Sequence, residues 1–135
     1  MNDDGLLHRE TTDKILRAFY HVYNTLGYGF LEKVYENAMA VALRKMGIRV
    51  EQQVPISVYF EGELVGEYFA DIRADLIVMI EVKAAESIHP AHEAQLLNYL
   101  RATATEVGLL LNSSHKPEFR RKLFSNDRKA SLPPC

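Results

Sequence analysis

The stretch from Gly66 to Ala84, GEYFADIRADLIVMIEVKA, limits the possible folds of this chain more than any other segment. Its second half, Leu76 to Ala84, is dense in Ile, Val and Met, the composition of a strand buried in a central sheet. The whole reads as two strands joined by a tight connection near Arg73 to Asp75. Alternate side chains of a strand share a face, so Glu81 and Lys83 project together while Val82 points the other way. Asp71, on the preceding strand, then falls close to Glu81. Two carboxylates and an ammonium converging at a sheet make a hard-cation site with a cationic partner beside it. That is the chemistry of metal-assisted hydrolysis.

The rest of the chain supplies elements to cover such a strand. Thr11 or Thr12 is the expected N-cap of a first helix carrying Ile15, Leu16, Phe19, Tyr20, Tyr23 and Leu26 at helical spacing, with Gly27 and Gly29 ending it. A second helix is expected from Phe30 through Leu31, Val34, Tyr35, Ala38, Val41, Ala42 and Met46, stopped by Gly47. From Ile48 the pattern changes to strand, first Arg49 to Gln52 and then Ile56 to Phe60, with Pro55 between them marking an edge or a bulge. A turn at Glu61-Gly62-Glu63 leads to the strand that holds Asp71. Beyond Ala84, a polar loop enters a third helix with Pro90 in its first turn. A strand from Val107 to Asn112 follows and should lie parallel to a neighbour, because strand, crossover helix and strand come in that order. Pro117 to Phe124 fits an edge strand or a short helix, the spacing of Phe119 and Leu123 favouring the helix.

Composition bounds the function. At 135 residues, 47% hydrophobic and 25% charged, the chain suits one domain with a substantial core, residues 1–124, and a mobile tail, 125–135. A formal net charge of -2 argues against a protein that coats nucleic acid, so any such contact must come from a local patch, a partner or an oligomer groove. The single cysteine, Cys135, excludes an internal disulfide and a cysteine-based zinc cluster and suits a reducing cytoplasm. The acidic start, Met1 to Asp4, and the lack of an apolar run of membrane-spanning length lead to the expectation of a cytoplasmic protein that is neither exported nor inserted.

Gly29-Phe30-Leu31-Glu32-Lys33-Val34-Tyr35 resembles the signature of the GxxExxY protein family, a branch of the PD-(D/E)XK nuclease-like superfamily. Gly66 to Asp71, Ile80 to Ala84, His92 to Leu100 and Gly108 to Asn112 resemble further segments of that family in the same order, so the similarity spans about Leu6 to Phe124. The resemblance implies a restriction-endonuclease-like α/β fold, an α+β mixed sheet with helices packed on it, in the order helix, three antiparallel strands, helix, strand. It also implies roles position by position. Asp71 and Glu81 resemble the metal-binding carboxylates, with the Val82 backbone carbonyl as a further ligand. Lys83 resembles the lysine that positions the attacking water and offsets charge on the phosphate. Glu32 resembles the additional helix-borne acid, and Gln95 a polar residue that steadies Lys83 or a metal-bound water. Ala70 stands where the superfamily name has proline.

Each residue has a plainer role to set beside this one. Glu81 and Lys83 alone would suit a same-face ion pair on an exposed strand. Glu32 in the first turn of a helix is favoured by the dipole in any case. Asp75 competes with Asp71 but reads as a solvated turn residue, and Gln95 as a surface helix residue. Tyr35 and Tyr99 read as core tyrosines with wet hydroxyls. His89, His92 and His115 lack the spacing of a zinc site. Lys116, Arg120, Arg121, Lys122, Arg128 and Lys129 concentrate positive charge that would hold phosphates or simply solvate a tail. The expectation is therefore a nuclease dependent on magnesium or manganese, hydrolysing phosphodiester bonds of DNA or RNA, with a homodimer as a route to a larger footprint. The alternatives are a noncatalytic nucleic-acid or protein-binding module that keeps the fold, and a small structural partner in a larger complex.

Overall fold

The computed structural model describes residues 7–129. The elements run α1 (Arg9–Leu26), α2 (Glu32–Lys45), β1 (Val50–Phe60), β2 (Glu63–Ala74), β3 (Val78–Lys83), α3 (Pro90–Arg101), β4 (Val107–Ser113) and β5 (Pro117–Leu123), followed by a 3-10 turn at Asn126–Arg128. The strands form one sheet in the order β1-β2-β3-β4-β5, antiparallel throughout except for the β3–β4 pair. That parallel pair is the one joined through α3, as a crossover requires.

Helices cover both faces of the sheet. One layer gathers Ile15 and Phe19 of α1, Tyr35, Met39 and Leu43 of α2, and Ile72, Ile80, Val82, Leu109 and Leu111 of the sheet. The other gathers Leu96, Tyr99 and Leu100 of α3 with Val54, Ile56, Ala70, Met79 and Leu110. Buried on both sides, β3 and β4 are the apolar runs expected of central strands. Each fully buried Leu, Ile or Val contributes roughly 1.5–3 kcal/mol. Gly108 is required for closeness: a Cβ there would lie 2.8 Å from Leu96 Cδ1, so α3 seats directly on the β4 backbone.

Several local expectations shift. The cap of α1 is His8 in the left-handed region, not Thr11 or Thr12, and the Thr12 hydroxyl instead donates back to the Arg9 carbonyl at 3.0 Å. β1 is one continuous strand through Pro55, tolerated because it lies at the sheet edge. β2 continues to Ala74, so the turn falls at Asp75 and Leu76, both at positive φ, with Ile77 N–H donating to the Ala74 carbonyl at 3.0 Å. Asp75 clamps this turn to the start of β1: its Oδ1 accepts the Arg49 N–H at 2.8 Å. Pro117–Leu123 is an edge strand rather than a helix, because pairing with β4 outweighs the helical spacing of Phe119 and Leu123. Residues 125–129, expected to begin a mobile tail, fold back: Lys129 Nζ donates to the Thr103 and Thr105 carbonyls at 2.7 and 2.9 Å. The remainder of that tail, with Cys135, and the acidic start lie outside the described residues.

Candidate active site

The fork between β2 and β3 holds the central residues. The two strands pair only through Ile72↔Ile80, Arg73↔Met79 and Ala74↔Val78, and then diverge. On the other side of β2, Gln53 of β1 stands opposite Asp71 at φ 55, between the regular pairs Gln52↔Ile72 and Val54↔Ala70. Residues two apart on a strand ordinarily share a face. Here Ala70 packs in the α3 layer and Ile72 in the α1/α2 layer, so β2 turns over at Asp71.

Where the ladder opens, carboxylates take the place of carbonyls. Asp71 N–H donates to Glu81 Oε2 at 2.8 Å, and Val82 N–H donates to Asp71 Oδ2 at 2.8 Å. Each acid thus satisfies a backbone amide of the other strand with one oxygen. Asp71 Oδ1 has a weak contact at 3.5 Å from Gln53 Nε2. Glu81 is only 3% exposed, and burial, reinforced by the Asp71 charge, pushes its carboxyl up to about 8. Burial also raises Asp71, with the charge of Glu36 adding to the effect.

Lys83 emerges half-buried on the Met79–Glu81 face, and its charge acts on both Asp71 and Glu81. Val82 turns its side chain into the opposite layer. Gln95 Nε2 donates to the Tyr99 hydroxyl at 2.8 Å. Tyr99 is 5% exposed, and its hydroxyl is raised by burial and by the nearby Glu81 charge. Glu32 is exposed at the start of α2, and its charge acts on His92.

The acid of α2 that acts on both site carboxylates is Glu36, one turn further on, which the sequence reading missed. It is 4% exposed and accepts from Gln52 Nε2 at 2.9 Å, Gln53 Nε2 at 3.0 Å and Lys33 Nζ at 3.2 Å. The signal was its spacing: Glu36, Ala40 and Leu43 share a helix face with one another. Of the expected apolar stripe, Tyr35 is buried and Ala38, Ala42 and Met46 pack against the core, but Leu31, Val34 and Val41 are exposed, and the buried stripe is Tyr35, Glu36, Met39, Ala40 and Leu43. Asn112 was also missed as a positioning residue. Fully buried beside Lys83 in the β3–β4 pairing, it accepts the Ala85 N–H at 2.9 Å and donates to the Ala85 carbonyl at 3.0 Å, fixing the path of the chain as it leaves Lys83.

The other candidates are scattered. His89 caps α3 by accepting the Ala91 N–H at 3.1 Å, with His92 Nδ1 accepting the His89 N–H at 3.3 Å, and His115 packs against Tyr28 with the rings tilted at 49°. Three of the basic C-terminal residues engage groups of the protein: Lys122 pairs with Glu93 at 2.6 Å, Arg121 donates to the Leu7 carbonyl at 2.6 Å, and Arg128 lies over Phe124. Among the described residues, no three His, Cys, Asp or Glu side chains form a ready ligand set. The donors still fit a hard cation, because Asp71 and Glu81 are close acids, half-buried and buried, whose ionisation is opposed by burial more than the Lys83 charge favours it. A divalent ion would rest on these two and on backbone or water oxygens.

A mixed five-stranded sheet between helices, with paired acids and a lysine at a fork in its centre, defines a restriction-endonuclease-like domain. The family model of the PD-(D/E)XK nuclease superfamily matches residues 9–122. The chain belongs to that superfamily. Its fold is similar to that in "Crystal structure of SSO0001", with a TM-score of 0.53 and 16% identity, over 70% of this chain and 50% of that one. The chain thus matches half the length of that protein. No curated protein sequence gives a significant match.

Proposed function

We propose that this protein is a divalent-metal-dependent nuclease that hydrolyses phosphodiester bonds of DNA or RNA, and that within its superfamily it is a GxxExxY protein. The observation that carries the reading is the interlock of Asp71 and Glu81 across the β2/β3 fork, with Lys83 on the same wall. An acid whose carboxyl is pushed up to about 8 by burial in a strand fork costs the fold stability when ionised, but it suits a site completed by a cation.

Magnesium or manganese would polarise the phosphoryl oxygens and lower the pKa of an attacking water. Asp71, Glu81 and the Val82 carbonyl would hold the ion. Lys83 would position the water and offset charge building on the phosphate. Glu36 would supply further negative charge toward the ion or toward the water's proton, with Glu32 in the first turn of α2 as the other helix-borne acid. Gln95 holds the Tyr99 hydroxyl beside Glu81. The GxxExxY assignment draws support from Tyr35, whose hydroxyl donates to the Gly27 carbonyl at 2.6 Å and accepts the Phe30 N–H at 3.3 Å, bracketing the loop that carries the motif. A cytoplasmic homodimer would give so small a domain a longer footprint.

Cleavage of a DNA and RNA panel with magnesium, manganese or chelator tests the proposal. Asp71→Ala should abolish cleavage, and Lys83→Ala should lower it by roughly 100- to 1000-fold with the fold retained. Equal rates in wild type and variants would refute it. Binding without cleavage would favour the noncatalytic module.

A further inference from the structure

Before Asp71, β2 has no partner on its β3 side, so the outer half of the β1–β2 hairpin is a two-stranded ribbon standing clear of the sheet. Such a ribbon is marginal in water and ordinarily carries polar residues. This one exposes Tyr59, Phe60 and Tyr68, at 43%, 65% and 49%. With α3 and the chain after β5, it borders a groove of about 1430 Å³ whose lining residues include Phe60, Tyr68, Phe124, Arg101 and Arg128. Tyr68 and Tyr99 approach with ring centroids 5.8 Å apart, and Tyr99 is the lining residue on which the Glu81 charge acts, while Asp71, Glu81 and Lys83 do not themselves line the groove.

Two guanidinium groups are fixed on its rim. Arg101 and Arg128 lie over the Phe124 ring at 4.9 and 5.0 Å, and both side chains are exposed. Lys129 also borders the groove, but its ammonium is spent on backbone carbonyls, an arrangement that anchors the turn bearing Arg128. Glu61 is the acid among the groove's lining residues.

We propose that this groove binds a single-stranded segment of nucleic acid, its unpaired bases stacked on Phe60 and Tyr68 and its phosphates on Arg101 and Arg128. The inference rests on the nuclease reading and names its substrate class. Exposed rings beside fixed cations match a strand whose base faces are free, whereas a duplex keeps those faces inside its own stack. A strand held in the groove would pass Tyr99, the lining residue on which the Glu81 charge acts.

Fluorescence anisotropy with single-stranded DNA, single-stranded RNA and duplex of equal length, in chelator so that nothing is cut, tests it. Wild type should bind a single strand at least about tenfold more tightly than duplex. Phe60→Ala with Tyr68→Ala should lose about tenfold or more for single strands. Arg101→Ala with Arg128→Ala, exposed positions that leave the ribbon intact, should lose affinity and flatten the salt dependence. Unchanged thermal melting of both double variants separates binding from folding. Equal affinity for duplex, or single-strand affinity unmoved in both variants, would overturn the inference. So would variants that lose only self-association in sedimentation, since the ribbon would then be a contact between copies. The cleavage assay on duplex with Asp71→Ala is independent: duplex cutting with unaltered groove variants sinks this inference while the nuclease stands, and no metal-dependent cutting of any substrate sinks the nuclease reading itself.

Discussion

Replacing Glu81 with glutamine should make the protein more stable in the absence of metal, by an amount that grows with pH. Glu81 titrates near 4.5 when unfolded and near 8 in the fold, because burial and the Asp71 charge oppose its ionisation. Between those values the native state binds the proton and the unfolded state does not, so stability falls as pH rises and levels off above about 8. At 1.36 kcal/mol per pH unit, the full interval amounts to about 5 kcal/mol. Glutamine keeps an oxygen to accept the Asp71 N–H, which Glu81 now takes at 2.8 Å, and removes the titration. Burial depresses His92, which gives stability the opposite slope near neutral pH, but that contribution is common to both proteins and cancels in their difference. Urea unfolding in chelator from pH 5 to 9 reads the difference directly. With a slope of about 1–2 kcal/mol per molar urea, the two midpoints should separate by more than about 2 M at pH 8. A stability difference that stays constant over this range would refute the buried-acid argument. Magnesium should narrow the gap by stabilising the wild type alone, and its apparent affinity should rise toward pH 8 as the proton it displaces becomes easier to remove.

Glu36→Gln should lower the Glu81 titration, because the Glu36 charge raises it, and carboxyl carbon NMR would register the shift. An unmoved titration would detach Glu36 from the site. Gly108→Ala should cost about 1–3 kcal/mol in urea unfolding, since the added methyl meets a fully buried Leu96. Tyr35→Phe should cost about 1–2 kcal/mol, leaving the Gly27 carbonyl without its donor, and should speed amide exchange in the loop through Phe30. Asn112→Ala should reduce cleavage more than Asn112→Asp, which keeps the acceptor for the Ala85 N–H; equal losses would argue against a positioning role.

Much of the fold is legible in short-range pattern. The apolar runs of β3 and β4, the helix between them and the glycines after α1 and α2 each leave a local mark, and together they dictate a parallel pair inside a mixed sheet. Strand alternation likewise places Glu81 and Lys83 on one wall. What escapes is whatever depends on a partner distant in sequence. α2 is apolar around much of its circumference, so periodicity reveals a helix without saying which side meets the sheet, and Glu36 is hidden by that ambiguity.

Sequence alone thus determined which ionisable residues the central strands bear and which of them share a face, because residue type and a two-residue repeat are properties of the chain itself. Tertiary structure alone decided that β2 turns over at Asp71 opposite Gln53, that the Asp71 and Glu81 carboxylates replace ladder carbonyls across the fork, and that Glu36 rather than Glu32 acts on them. It also raised a rimmed aromatic groove out of residues scattered from Tyr59 to Arg128. Burial and electrostatic coupling are sums over neighbours in space, and no local pattern of residues contains that sum.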